Sequence, residues 1–369
     1  MSRVVIAGGG LAGAAAAARL AQQGARPLLI ERSVAEHDKV CGDFVSTEAQ
    51  AHLAAIGLDV RRLGGAAIDR VRLSAGGRSV ATRLPFTALG LTRRRLDEAL
   101  LEHARAAGAA IERGITVRAV AGRTLATSAG AVPADALLLA TGKSDVRGAK
   151  RNAAGTLDHL TGFKQYFRVS AATLAALDGT IEIVLFEGGY AGIQRVEDGL
   201  VNLCLLIDRR RMAAGAAAYA TALAEPRLAM LLNSAEPVLA RPLTITRVPY
   251  GFVHRRGDDV CGGVFRLGDQ AGVIPSFTGD GMSIALHSAR LAAEAVLAGA
   301  SAAAYHSAFR RDVAAQIGRA TMLQRSGETH AGRDMFLTAA AMLPPLLRWA
   351  AAATRIAPAA LRRAGLPAG

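Results

Sequence analysis

Apolar and polar positions change rhythm along the chain, and the changes mark its elements. Val4-Val5-Ile6-Ala7 is an unbroken apolar run, as expected of a strand buried on both faces, and it leads into Gly8-x-Gly10-x-x-Gly13. The Ala-rich stretch that follows, with Arg19 and Gln22 on its polar side, reads as a helix. Leu28-Leu29-Ile30 reads as a second strand, ending on Glu31. Thr47 to Ile56 looks helical, with Gly57 closing it. Ile68 to Ser74 and Ser79 to Leu84 alternate apolar and polar residues about Gly76-Gly77, which predicts a hairpin. A long amphipathic helix runs from Leu91 to Ala107 and stops at Gly108. Ile111 to Val120 and Leu137 to Ala140 are further strands, the latter ending in Thr141-Gly142.

From about residue 159 to 207, strand patterns are separated by Gly179, Gly188-Gly189 and Gly199, and Leu243 to Tyr250 adds one more. No helical crossover intervenes, so this middle section is expected to be an antiparallel sheet. Gly263 to Asp269 is then a strand running into a turn. Gln270 to Thr278 is a loop containing Pro275, and Gly279-Asp280-Gly281 opens a helix from Met282 to Leu297. The sequence from Ala302 onward reads as mostly helical.

The first fifty residues carry the clearest chemistry. Strand, glycine turn, helix, strand and acid, in that order, are what a dinucleotide-binding βαβ unit requires. Gly8 allows the tight turn, Gly10 lets the backbone approach a diphosphate, and Gly13 lets the helix pack on the strand. The helix N-terminus offers N–H groups and partial positive charge to the phosphates. Glu31 stands where a carboxylate accepts hydrogen bonds from a ribose hydroxyl. An apolar run after Arg3 also imitates an export signal, but three glycines inside it and a second strand behind it argue against export.

Composition narrows the reading. A formal charge of +14 suggests an anionic partner. However, only four of the 44 basic residues are lysines (Lys39, Lys143, Lys150 and Lys164), and the arginines are spread along the whole sequence without a nucleic-acid-binding motif. No nucleic-acid partner is expected. Cys41, Cys204 and Cys261 are far apart and odd in number, which fits a reducing, cytoplasmic setting rather than a disulfide framework. The eight histidines are scattered with no metal-binding spacing, so no metal site is expected. His287 reads as a packing or surface residue rather than a base. No apolar run reaches the roughly 18 residues of a membrane span. The tail from Met335, broken by Pro344-Pro345, is a candidate for peripheral membrane contact.

With these stations in place, residues 1 to 300 resemble the FAD-dependent oxidoreductases of the aromatic hydroxylase and geranylgeranyl reductase-like superfamily. Gly8, Gly10, Ala12, Gly13 and Glu31, with Arg32 beside it, look like the family's ADP-binding motif. Arg93, in an R-x-x-L-D pattern, looks like the arginine that reaches the cofactor from the start of a helix. Val120, Thr141 and Gly142 fall on segments that the resemblance places at the cofactor. Gly268-Asp269 looks like the second FAD fingerprint, whose aspartate binds the ribityl chain. Pro275, Gly279, Gly281 and Met282 look like the segment beside the isoalloxazine ring. A glycine-opened helix N-terminus there would supply N–H donors where negative charge develops on the reduced ring. Lys39-Val40-Cys41-Gly42-Asp43 is similar to the K-x-C-G-x segment of the reductases, which lies near flavin and substrate. Cys41 is therefore a candidate proton donor, redox thiol or packing residue. Two departures count. Thr141 replaces the aspartate of the A-D-G segment that aromatic hydroxylases use with their reductant. The halogenase tryptophan motif is missing, the single tryptophan being Trp349.

The resemblance implies an α/β fold: a Rossmann-like FAD-binding domain of residues 1–66, 88–150 and 260–300, an antiparallel-sheet substrate domain of residues 67–87 and 151–259, and a helical region of residues 301–369. It implies FAD as cofactor and NAD(P)H as electron donor. The first reading is a monooxygenase that hydroxylates an apolar phenolic or polyketide-derived metabolite, with Gly281 and Met282 stabilising the reduced ring. The alternative is a geranylgeranyl reductase-like enzyme that reduces a C=C bond of a prenyl group, with Cys41 or water as proton donor. A non-catalytic flavin-binding protein is a third. The sequence leaves the oligomeric state open.

Overall fold

The computed structural model describes residues 3–210, 216–255, 263–343 and 345–367. β1 (Val4–Ala7) is buried along its whole length, so it requires a strand on each edge and a layer on each face. The glycine turn starts α1 (Leu11–Gln22), where Ala14, Ala16, Ala17 and Ala18 are fully buried and keep the helix close to the sheet. β2 (Leu28–Glu31) pairs parallel with β1. β3 (Phe44–Val45) and α2 (Thr47–Ala54) follow, the helix capped by Ser46, whose hydroxyl accepts from the N–H of Ala49. The predicted hairpin is β4 (Ala66–Ala75) and β5 (Arg78–Gly90), and both strands are longer than their alternation indicated. α3 (Arg93–Ala106) is capped by Thr92.

The single strand expected over 111–120 is two strands in two sheets. β6 (Ala110–Arg113) pairs parallel with β2, whereas β7 (Val117–Ala121) opens a three-stranded antiparallel sheet with β8 (Thr124–Thr127) and β9 (Gly130–Pro133). Gly114, at φ +78°, turns the backbone between them. β10 (Ala136–Leu139) then returns beside β1.

The middle section carries β11 (Leu160–Arg168), α4 (Ala171–Ala176), β12 (Gly179–Phe186), β13 (Gly189–Arg195) and β14 (Val201–Asp208). α5 (Ala216–Leu223), α6 (Pro226–Leu231), β15 (Glu236–Pro237) and β16 (Leu243–Thr246) complete it. Its sheet runs β15-β11-β14-β13-β12-β4-β5-β3, with β16 also beside β11. It is antiparallel except where β12 meets β4, which pair in parallel. The exception joins the later strands to β4 and β5, a hairpin from a much earlier part of the sequence. β3 and the end of β5 also belong to this sheet, so continuous strands cross the boundaries expected near residues 66 and 87.

β17 (Val264–Arg266) completes the five-stranded parallel sheet, of order β17-β10-β1-β2-β6. The boundary expected at residue 260 lies outside the described residues, as does Cys261. α7 (Gly281–Leu297) packs along α1 and joins the main core. α8 (Ala302–Gly327), α9 (His330–Met342), α10 (Pro345–Ala353) and α11 (Pro358–Arg363) form the helical tail. Among the described residues no single helix is long and apolar enough to cross a membrane, though Met335, Met342, Leu343 and Trp349 are exposed on the tail. His287 is not at the surface: it is fully buried and shares a hydrogen bond with Asp312 at 3.0 Å.

Candidate functional site

The two glycine corners, more than 250 residues apart in sequence, meet in space. At the first, Gly8 has φ +107°, and a Cβ there would lie 2.5 Å from the carbonyl oxygen of Ala140. A Cβ on Gly13 would lie 1.9 Å from the carbonyl oxygen of Gly8, so Gly13 exists to let α1 approach the turn. At the second corner, a Cβ on Gly268 would touch the side chain of Ala12 at 3.2 Å, which ties the corners together.

One cavity of about 660 Å³ joins them. Gly8, Gly10, Ala12, Glu31 and Arg32 line one end. Cys41, Gly42, Arg93, Thr141, Gly142, Gly268, Asp269, Gly279, Gly281 and Met282 line its middle. The second sheet closes the far end with Ile183, Tyr190, Leu206 and Ile245. Three residues expected at the cofactor do not line it. Gly13 packs α1 against the turn. Val120 is a buried residue of β7 in the three-stranded sheet, its N–H donating to the carbonyl of Arg147 at 2.8 Å. Pro275 lies between two lining residues, Ile274 and Ser276, without reaching the cavity itself.

The first end is built for a diphosphate. Gly10 leaves open space, and a Cβ there would meet only Arg93 Nη2 and Lys39 Nζ, both at 3.6 Å. Two cations thus overhang the N-terminus of α1, where N–H groups already favour an anion. Both are held by Asp97: Arg93 donates to it through Nε at 2.9 Å and Nη2 at 3.0 Å, and Lys39 through Nζ at 2.6 Å. The resemblance places the Lys39–Asp43 segment near flavin and substrate, but it does not assign Lys39 to the diphosphate. Glu31 braces the turn by accepting from the N–H of Gly9 at 2.6 Å and of Ser33 at 2.9 Å. Asp269 lines the cavity with no hydrogen bond to its carboxylate among the described residues, leaving it for a sugar-type hydroxyl. Gly281 opens α7 with no atom near its absent side chain, so the helix N-terminus faces the cavity bare. These features fit FAD: a cradle for the diphosphate, acids for hydroxyls, and N–H donors for the ring.

The comparisons agree with that fit. Residues 1–132 match the family described as FAD binding domain. A chloroplastic geranylgeranyl diphosphate reductase of Oryza sativa subsp. japonica is 26% identical over 322 residues, covering 81% of this chain and 67% of that protein. Among solved structures, a geranylgeranyl bacteriochlorophyll reductase-like protein from Thermoplasma acidophilum aligns with TM-score 0.73 and 16% identity, over 90% of this chain and 89% of that one. A flavin-dependent brominase, Bmp2, aligns with TM-score 0.75 and 16% identity, over 95% and 94%. The family match thus covers the N-terminal 132 residues, and the solved structures share the fold of nearly the whole chain.

The segment after Lys39 is gripped by the second sheet. Asp43 adopts φ +53°, a conformation that favours glycine, and is fully buried. Its carboxylate accepts from Lys164 Nζ at 2.5 Å and from the Tyr166 hydroxyl at 2.7 Å, both on β11. Gln194 on β13 donates to the carbonyl of Asp43 at 3.0 Å, and Asn202 on β14 to that of Gly42 at 2.9 Å. Three neighbouring strands thus fix Gly42 and Cys41 at the cavity wall, where Cys41 Sγ accepts from the N–H of Asp43 at 3.5 Å. Nothing in the sequence linked any of these four partners to Asp43. A lone lysine in the aromatic strand 163–167 was the one hint. Cys204 also lines the cavity, but burial pushes its thiol up to about 12, so it is inert as a nucleophile.

Two results are expected of the cofactor end. Arg93→Ala should weaken FAD binding roughly ten- to a hundredfold, as lost charge-assisted bonds would, read by fluorescence quenching of added FAD. Stability should also fall in acid. Burial raises the carboxyls of Glu31 and Asp97, but other contributions outweigh it. For Glu31 these are the N–H groups of Ser33 and Gly9 and the charge of Lys39; for Asp97 they are Arg93 and Lys39. Both therefore sit below the ordinary carboxylate range. Their contribution is complete above about pH 4, the usual carboxyl value, and is lost as pH drops through the depressed folded values. Melting curves between pH 7 and 3 read this, and a flat profile would contradict it.

Proposed function

We propose that the protein is an FAD-dependent monooxygenase that uses NAD(P)H and O2 to hydroxylate an apolar, phenolic or polyketide-derived small molecule. When bound, FAD supplies electron transfer from the reductant and activation of O2. The residues that would hold it are Gly8, Gly10, Glu31, Arg32, Arg93, Asp269 and the α7 N-terminus at Gly281 and Met282. The observation that carries the reading is the far end of the cavity. Ile181, Ile183, Leu206 and Ile245 present an apolar wall, and polar Tyr190, Tyr250 and Lys143 stand beside it. That mixture suits a greasy ring bearing an oxygen better than a bare hydrocarbon. Aligned N–H groups at Gly281 and Met282 would offset negative charge on the reduced ring.

A second reading is favoured by one observation. Cys41 lies on the cavity wall, in a segment similar to that of the prenyl reductases, where a thiol can hand a proton to carbon. Oxygen uptake and product mass separate the two. FAD-loaded protein given NAD(P)H and candidate phenols should consume O2 and return a product heavier by one oxygen atom. A product heavier by two hydrogens, formed without O2 under dithionite, would overturn the first reading in favour of the second. Halogenation is disfavoured, because Trp349 lies on α10 and outside the cavity. A cytoplasmic location with lipid contact through the exposed apolar residues of α9 and α10 belongs to the same proposal, and flotation with anionic vesicles checks it.

A further inference from the structure

The far end of the cavity holds polar groups that the cofactor's corners do not use. Lys143 Nζ donates to the carbonyl of Val40 at 2.8 Å and has no carboxylate ion partner among the described residues. Burial works against its charge, yet nearby Tyr250, Asp269, Cys41 and Cys204 hold it above the ordinary lysine range. Tyr190 is 8% exposed, and its hydroxyl, though near Ser276 and the backbone of Phe277, makes no well-formed hydrogen bond among the described residues. Ser276 donates to the Tyr250 hydroxyl at 3.0 Å, which leaves the Tyr250 proton free for another acceptor. Lys164 and Asp43, which do not line the cavity, pair with each other.

A charged ammonium with no carboxylate in ion-pair contact can still take an anionic ligand, and a buried hydroxyl without a partner is costly unless a ligand completes it. Both face one cavity, beside the apolar wall of Ile183, Leu206 and Ile245. We propose that Lys143, Tyr190 and Tyr250 form a subsite for an oxyanion head on the substrate, whose apolar body lies against that wall. This rests on the reading of an apolar, oxygen-bearing substrate and adds how it is oriented. The head is a phenolate or enolate oxygen, or the phosphate end of a prenyl group. In each case Lys143 supplies the charge and the tyrosines supply O–H donors.

The test uses para-nitrophenol, whose neutral and ionised forms differ in colour, with FAD-loaded protein. Bound nitrophenol should ionise at a pH lower by about one unit or more, a tenfold change in its ionisation ratio. Lys143→Met should abolish that shift and weaken binding about tenfold, while leaving FAD affinity within about threefold. Tyr190→Phe, which removes only an unpartnered hydroxyl, should fold normally and lose part of the shift. Displacement of nitrophenol by inorganic pyrophosphate would support the same subsite and assign its natural head to a phosphate. Nitrophenol bound with unchanged ionisation would overturn the inference, as would a shift that survives in Lys143→Met or loss of FAD from that variant. Failure of both probes to bind would also overturn it. A product one oxygen heavier would, even then, leave the monooxygenase reading standing.

Discussion

Lys164→Met should cost about 3–5 kcal/mol of stability, the usual result of leaving one member of a buried ion pair alone. For a protein of this size that means a drop in melting temperature of about 5 °C. Lys164 and Asp43 are both fully buried and 2.5 Å apart, so no water can replace the missing ammonium. Burial pushes the Asp43 carboxyl up, and it would rise further without Lys164. An acid whose folded value is raised holds its proton more tightly when folded, so stability declines as pH rises above about 4 towards that value. The deficit of the variant should therefore be larger at pH 8 than at pH 5. Adding Asp43→Gly should restore most of the loss, because glycine suits φ +53° and removes the orphaned charge. If Lys164→Met alone melts with the parent protein, the clamp contributes nothing.

Gly13→Ala should be the most damaging single methyl group in the nucleotide end. Its Cβ would enter the space of the Gly8 carbonyl oxygen, 1.9 Å away, and that atom belongs to the turn backbone and cannot swing aside. Overpacking of this kind costs about 1–3 kcal/mol or more. Because the displaced backbone is the cradle itself, FAD affinity should fall roughly ten- to a hundredfold. Gly318→Ala is the control: it lies within α8 with nothing near its Cβ, so alanine should add about 0.5–1 kcal/mol. Equal FAD affinity in Gly13→Ala and the parent would remove Gly13 from the account.

What could be read in advance was whatever depends on neighbours in sequence. The βαβ unit declares itself because Gly8, Gly10, Gly13 and Glu31 are needed within one local turn. The hairpin about Gly76-Gly77 declares itself for the same reason. The split between β6 and β7 was hidden, because Ile115 and Thr116 are as strand-like as their neighbours and only the tertiary pairing separates them. The parallel contact of β12 with β4 joins segments about a hundred residues apart, beyond any periodicity. Lys164 and Tyr166 acquire their meaning from Asp43, more than 120 residues earlier. Two glycine motifs in order indicate a cofactor. The groups that face the substrate come from strands and loops whose convergence is a tertiary fact.

The parallel sheet has a bearing on how the protein is made. β1 leaves the ribosome well before β10 and β17, which emerge only near residues 136 and 264, and the helix that covers α1 is not finished until Leu297. Long-range pairings of this kind form late and slowly. The nascent polypeptide must therefore hold an incomplete nucleotide domain, with apolar α1 uncovered, while the whole second sheet is being synthesised. That interval is when chaperones would be needed most.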